Sequence, residues 1–244
     1  MKMVRDEFLK RLYIALQLYD CLMDDNVAIA VSGGVDSMVL LHAAFMLKDS
    51  PLLKGVRFSV VTIDHQVRPE SREEIRYVME LSTRFGLPVY SFRLHPKKFS
   101  EGYLHRERQK IWREVVSRYG VKKIWLAHHK DDVIEHVLLQ LLRGEEIRGL
   151  TSLKRCDGFI ARPLLDFSKD EIVSFAQRHN IKYFQDLTNY DVSLPRNFVR
   201  HEVIPLLSQK FNINNIWRSY KALTIQREAL DLLMSEFWAN HVKI

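Results

Sequence analysis

Residues 27–37 read Val-Ala-Ile-Ala-Val-Ser-Gly-Gly-Val-Asp-Ser, and this run constrains the fold more than any other. Five apolar residues suit a short strand buried on both faces. Ser32, Gly33 and Gly34 then turn the chain, and an apolar helical run starts at Met38. A strand, a glycine turn and a helix start together make a cradle for an anion. Glycines without Cβ let the backbone come close. The free N–H groups of the first helical turn point at bound negative charge, which the helix dipole favours. Ser32 and Ser37 offer hydroxyl donors. Asp36 repels phosphate directly, so its sensible role is to hold Mg²⁺, which in turn holds phosphate. An ordinary strand–turn–helix corner with a Ser or Asp cap uses the same residue types. The GxxxxGK(S/T) loop is excluded, because no Lys follows the glycines.

The same alternation continues down the chain. Further strands are expected at 56–63, 89–94, 122–127 and 158–161. Helices are expected at 4–22, 38–48, 69–85, 103–119 and 131–143. This order implies parallel βαβ units with right-handed crossovers: a doubly wound α/β, Rossmann-like fold on a mainly parallel five-stranded sheet. Ligands of such sheets bind beyond the carboxyl ends of the strands. The polar residues that follow strands, Ser32-Gly33-Gly34, Asp64-His65 and His128-His129, are therefore expected on one rim. Ala30 and Val35 flank the glycine turn and line the same site.

After Ser168 the strands stop. Ser168 and Glu171 form a capping box for a helix to His179. A loop at 184–195, a short helix at 197–207 and a long amphipathic helix at 215–238 follow. The last carries an apolar stripe of Ile216, Tyr220, Leu223, Leu230, Leu233, Met234 and Phe237. Residues 1–211 are expected to form the main domain. Residues 212–244 read as a small helical C-terminal appendage, open to being the start of a further domain.

The formal charge is +7 and the sequence pI about 9.4, which points to a polyanion, nucleic acid first. Arg106, Arg108, Arg113, Arg196 and Arg200 are the candidate phosphate contacts as a set. Taken singly, each reads more plainly as part of a solvated helix face. Trp112, Trp217 and Trp238 suit core packing better than base stacking. Cys21 and Cys156 are the only cysteines, and neither lies in a CxxC. That argues against a disulfide framework, a Cys-based zinc site and an iron–sulfur cluster, and suits a reducing cytoplasm. No apolar run reaches a membrane span, and the first residues lack the apolar core of a signal peptide.

His128-His129-Lys130-Asp131-Asp132-Val133-Ile134-Glu135-His136 concentrates acids at a helix start. Asp132, Glu135 and His136 share one face. Three readings stay open. The acids stabilise the helix N-terminus, they bind Mg²⁺ with a nucleotide, or Asp132 and Glu135 pair with a cationic amine.

Taken together, the motifs resemble a known family. Ser32-Gly33-Gly34-x-Asp36-Ser37 resembles the loop of the N-type ATP pyrophosphatases, the PP-loop family. Asp64-His65-x-x-Arg68-x-Glu70-Ser71 resembles its tRNA(Ile)-lysidine synthetase branch. So do His128-His129-x-Asp131-Asp132-x-x-Glu135, Arg162-Pro163-Leu164-Leu165, Asp186-x-x-Asn189 and Arg196-Asn197-x-x-Arg200. The likeness covers roughly residues 28–207 and thins between Phe99 and Trp112. It implies an adenine nucleotide alpha hydrolase-like fold that uses ATP and Mg²⁺. It implies a ligase that joins L-lysine to C2 of the wobble cytidine of tRNA(Ile) with a CAU anticodon, through an adenylated cytidine. Asp36, Asp132 and Glu135 would then be catalytic. ATP would meet Ala30, Ser32, Gly33, Gly34, Val35, Asp36, Ser37, Asp64 and His65, with Asp36 on the metal. Lysine would meet Asp132 and Glu135. A tRNA thiolase, an amidotransferase-type synthetase and a non-catalytic RNA-binding module are the rival readings. Oligomeric state, a homodimer included, is not set by the sequence.

Overall fold

A computed structural model describes residues 6–64, 71–94, 101–185 and 190–241. His65, Arg68, Glu70, Asp186 and Asn189, all drawn from the sequence motifs, lie outside the described residues, as does the side chain of Ser71. The chain divides into two compact units. One is Met1–His129 with Arg155–Asp186, and the other is Lys130–Lys154 with Leu187–Ile244.

The first unit is a sheet with helices on both faces. Its strands are β1 (Asn26–Ala30), β2 (Arg57–Asp64), β3 (Val89–Arg93), β4 (Lys123–Trp125), β5 (Cys156–Asp157) and β6 (Ile160–Ala161). The sheet order is β3-β2-β1-β4-β6-β5. All neighbours pair in parallel except β5 and β6. The sheet thus has six strands where the sequence suggested five. The sixth is a two-residue antiparallel edge turned at Gly158, which takes the left-handed φ of 58°. Two residues carry no periodicity, so the pattern could not show it.

Helices α1 (Glu7–Leu18), α2 (Val35–Leu47), α3 (Ser71–Arg84), α4 (Glu101–Tyr119) and, later in the chain, α7 (Lys169–Arg178) complete the unit. One face of the sheet buries Leu12, Leu16, Met38, Leu41, Phe167 and Phe175. The other buries Ala28, Val61, Trp112, Val115 and Ile124. Helix α2 is apolar nearly all round because it lies inside the first of these cores. Asp6 caps α1 through the amides of Phe8 and Leu9 and also receives Arg178 and His179 from the end of α7. Burial would raise the pKa of Asp6, but those hydrogen bonds outweigh it and hold the group below its ordinary value.

Against the expectation of no disulfide framework, the two cysteines form a disulfide, Cys21–Cys156, with Cα atoms 6.0 Å apart. They are 135 residues apart in sequence. Folding brings them together because Cys21 sits in the turn after α1 and Cys156 on the β5 edge. Trp125 anchors the same turn through Nε1 to the Leu22 carbonyl at 2.6 Å.

The second unit is helical. It contains α5 (Lys130–Leu142), α6 (Ile147–Leu150), α8 (Pro195–Phe198), a π-helical turn (Val199–Val203), α9 (Ile204–Ser208) and α10 (Asn214–His241). The short helix expected at 197–207 is therefore three pieces. Pro205 explains the widening: it has no N–H for His201, and its ring crowds that carbonyl. The Ile204 amide reaches back to the Val199 carbonyl instead. In α10, Trp217 and Tyr220 are buried, and Tyr220 donates to the Leu153 carbonyl at 2.7 Å. The stripe on the second half of α10 is not buried as the pattern suggested. Leu230, Leu233, Met234 and Phe237 are exposed, as is Trp238. Among the described residues no helix is long and apolar enough to cross a membrane.

Candidate active site

The chain leaves β1, turns through Ser32-Gly33-Gly34 and enters α2 at Val35. From β1 it next builds β2 and β3 on one side, then returns to place β4 on the other. The carboxyl ends of β1 and β4 are therefore the switch point of the sheet, where open α/β folds bind ligands.

The loop holds its shape by internal bonds. Gly33 has φ +90°, which a residue with a Cβ rarely adopts. Gly34 is the N-cap of α2, and its carbonyl starts the helix by accepting the Met38 amide at 3.0 Å. The buried Ser37 hydroxyl donates to the Gly34 carbonyl at 3.0 Å and accepts the Ser32 amide at 3.1 Å. Ser37 thus ties the loop together, and the exposed Ser32 places its hydroxyl 3.2 Å from that of Ser37, where it accepts the Gly34 amide at 3.4 Å. A second segment straps the loop from outside. The Phe184 amide donates to the Gly33 carbonyl at 3.0 Å, and Gly34 and Phe184 form a parallel bridge. The Phe184 ring stands edge-on to Tyr77, and the Lys182 ammonium lies over both rings.

Asp36, in the first turn of α2, is half-buried. Both its oxygens accept from the Lys169 ammonium, at 2.7 and 2.9 Å. His129, just past β4 and buried, puts Nε2 3.7 Å from the same carboxylate. The expected gathering of strand ends is present here, since Asp36 follows β1 and His129 follows β4. His128 accepts at Nδ1 from Arg162 Nε at 3.2 Å, which ties the Arg162-Pro163-Leu164-Leu165 motif to the same rim. Asp64 is buried at the end of the neighbouring strand β2, with Arg93 Nε 3.6 Å away. Ala30 is the last residue of β1, and Val35 the first of α2.

Among the described residues no three His, Cys, Asp or Glu side chains group to hold a metal. Asp36 still suits Mg²⁺, which is commonly bound through one or two carboxylates plus the phosphates of a substrate. The donor set here is one carboxylate beside an anion cradle, which fits that habit.

In the second unit, Asp132 and Glu135 do share one face of α5, and both are buried, Glu135 to 2% exposure. They meet Arg196 of α8 and Arg200 of the π-helical turn. Arg196 donates to Asp132 at 2.7 Å and to Glu135 at 2.9 Å. Arg200 donates to both oxygens of Glu135, at 2.6 and 2.9 Å. Burial alone would favour neutral Arg200, but Glu135 and Asp132 raise its pKa further above the ordinary value. Two charges of each sign thus share one cluster. His136, on the same face, bonds the Gly149 carbonyl and Ser152 instead.

The remaining basic candidates lie on α4. Arg106 and Arg113 are exposed and about two turns apart, with Lys110 between them, while Arg108 is half-buried. Trp112 and Trp217 are core residues. Lys169 and Phe184 are functional candidates that the sequence did not single out. Lys169 follows the Ser168 cap directly, and a cation at a helix start is out of place by the dipole rule. That misplacement was the available signal.

Comparison with known proteins agrees with this architecture. Residues 8–207 match the model of a PP-loop domain. A curated tRNA(Ile)-lysidine synthase of Thermotoga maritima is 34% identical over 192 residues, covering 76% of this chain and 46% of that protein. One from Wigglesworthia glossinidia brevipalpis is 33% identical over 224 residues, covering 86% and 56%. The chain spans about half the length of the curated relatives it matches. A solved U34-tRNA thiolase from Methanococcus maripaludis, with its 4Fe-4S cluster, superposes with a TM-score of 0.73. It is 18% identical and covers 89% of this chain and 78% of that one, a likeness of fold.

Proposed function

The chain belongs to the PP-loop family, and on that premise we propose that it is the catalytic part of a ligase that uses ATP to join L-lysine to the wobble cytidine of tRNA(Ile) bearing a CAU anticodon. The observation that carries the nucleotide half is the Ser32–Ser37 loop. It opens α2 at the switch point of the sheet, with Gly33 in a conformation that suits glycine. The lysine half is carried by the names of the curated relatives and by the cluster of Asp132, Glu135, Arg196 and Arg200.

The chemistry proceeds in two steps. The cytidine C2 oxygen attacks the α-phosphorus of ATP, and the bond to pyrophosphate breaks. The neutral ε-amine of lysine then attacks C2, AMP leaves with the oxygen, and the amine gives up a proton. The loop amides and the Ser32 hydroxyl hold the departing pyrophosphate. Asp36 would hold Mg²⁺, which offsets charge on the phosphate oxygens when bound. Asp132 and Glu135 take an ammonium of lysine, and one carboxylate assists removal of the amine proton. Arg196 and Arg200 suit the α-carboxylate, so the whole cluster complements a zwitterionic head group. The exposed face of α4, with Arg106 and Arg113, contacts the tRNA backbone together with Arg108. The enzyme works in the cytoplasm, where its tRNA is. A thiolase reading is weaker, because the only two cysteines are joined to each other.

The test is transfer of labelled lysine to unmodified isoleucine tRNA with a CAU anticodon, given ATP and Mg²⁺. Methionine tRNA with the same anticodon is the control. Labelling of the first tRNA alone, dependent on ATP, is expected. Pyrophosphate release with another acceptor and no labelling would keep the nucleotide site and sink the lysine assignment.

A further inference from the structure

We infer that Lys169 belongs to the pyrophosphate site: its ammonium shields Asp36 while the loop is empty and passes to a phosphate oxygen when the anion enters. The inference rests on the nucleotide reading of the Ser32–Ser37 loop.

The placement of Lys169 is built rather than incidental. Ser168 caps α7 by accepting from the Glu171 amide, and Glu171 returns a bond from the Ser168 amide, so the first residue of the helix is fixed. Arg11 adds an ion pair to Glu171. Ile172, Phe175 and Ala176 of α7 share a core with Met38, Val39 and Leu41 of α2. This packing brings the two helix N-termini, each an electropositive end, to either side of the Asp36–Lys169 pair.

An ammonium at a helix start is disfavoured by the dipole, so its presence needs a compensating anion. Asp36 supplies that anion when the loop is empty. The carboxylate alone would repel an incoming polyphosphate, and the pair is neutral. Lys169 is 41% exposed along its side chain and Asp36 is 30% exposed, so the pair faces solvent and is not locked in the core. A four-carbon stem can turn its point charge from one oxygen to another. Once Lys169 transfers to phosphate, Asp36 is released to serve as an oxygen ligand. One side chain thus serves two states. Neither is the role of a purely structural ion pair.

The test is calorimetric titration of the full chain with inorganic pyrophosphate, in chelator and again with excess magnesium, compared in a buffer where the wild type binds. Lys169→Gln is expected to bind at least tenfold more weakly, with a melting temperature close to wild type. Lys169→Arg, which keeps a cation there, is expected to stay within about threefold. Lys54→Gln, an exposed lysine elsewhere, controls for lost net charge and is expected to bind as wild type. Lys169→Gln binding within twofold of wild type would overturn the inference and leave the nucleotide reading intact. Equal loss in Lys169→Gln and Lys54→Gln would overturn it too, by assigning the effect to bulk charge. Failure of the wild type to bind pyrophosphate or ATP in either buffer would overturn the nucleotide reading and this inference with it.

Discussion

Each of the two compact units, taken by itself, coheres through different physics. The first is a sheet whose ligand cradle is made of backbone: Gly33, the Gly34 cap and the amides that open α2. Its parts follow one another within a few residues, and a disulfide cross-links its margin. The second has no strand among its described residues, and charged side chains hold its parts together. Arg196 and Arg200 reach Asp132 and Glu135 over 60 residues away in sequence. Arg227, also buried, bonds the carbonyl and hydroxyl of Thr151 at 2.9 Å each. A backbone cradle survives exchange of most side chains around it. A charge cluster does not, because each member is the solvation of the others.

The sharpest way to break this contrast is at the cross-link. Closing 135 residues removes loop entropy worth about 5 kcal/mol in the chain-entropy model. A Cys21→Ser, Cys156→Ser double variant is therefore expected to melt roughly 10–20 °C lower than the oxidised protein. Amide exchange should quicken around the Cys21 turn and the β5 edge first and leave α5 nearly unchanged. Equal melting of oxidised and reduced protein would show that the sheet core alone sets the stability of the first unit.

Next in size is the charge cluster. Glu135→Gln keeps a hydrogen-bonding side chain but leaves two guanidinium groups facing one carboxylate. Removing one partner of a buried pair costs about 3–5 kcal/mol. The arginines here are about one-third exposed, so about 2 kcal/mol is expected. The Michaelis constant for lysine should rise at least tenfold, with pyrophosphate binding unchanged. Adding Arg200→Gln should restore part of the stability, since contacting residues are not additive. A double variant whose losses simply sum would mean that the cluster is not a unit.

The same contrast explains what could be read from the sequence. The strand–glycine–helix loop, the succession of strands and helices through β4 and the gathering of strand ends on one rim all follow from local runs and one topological rule. Asp132 and Glu135 were legible as one helix face, because spacing fixes that. Their arginine partners were legible only as a basic set, since no local pattern says which acid an arginine will meet. Lys169 is the same case: its partner is 133 residues away. The disulfide was missed because two unpatterned cysteines carry no spacing signal. The exposed half of α10 was misread because periodicity marks an apolar face without marking what covers it. The π-helical turn required knowing that Pro205 falls inside a continuous helix.

The smallest expected effect on stability tests the backbone claim most directly. At Gly33 an added Cβ would lie 3.3 Å from Glu74 Cβ and 3.6 Å from the Phe184 ring, at φ +90°. Gly55 has φ +95° with nothing within 4 Å of an added Cβ. Both Ala variants carry the same kind of backbone strain, about 1 kcal/mol. Only Gly33→Ala must also push α3 and the Phe184 strap away from the loop. Stability loss should therefore be similar, and slightly larger at Gly33. Pyrophosphate affinity should fall severalfold or more in Gly33→Ala and stay at the wild-type level in Gly55→Ala. If both variants bind alike, the close approach of Glu74 and Phe184 is mere packing. The cradle would then owe its function to donors other than the backbone that these two residues hold in place.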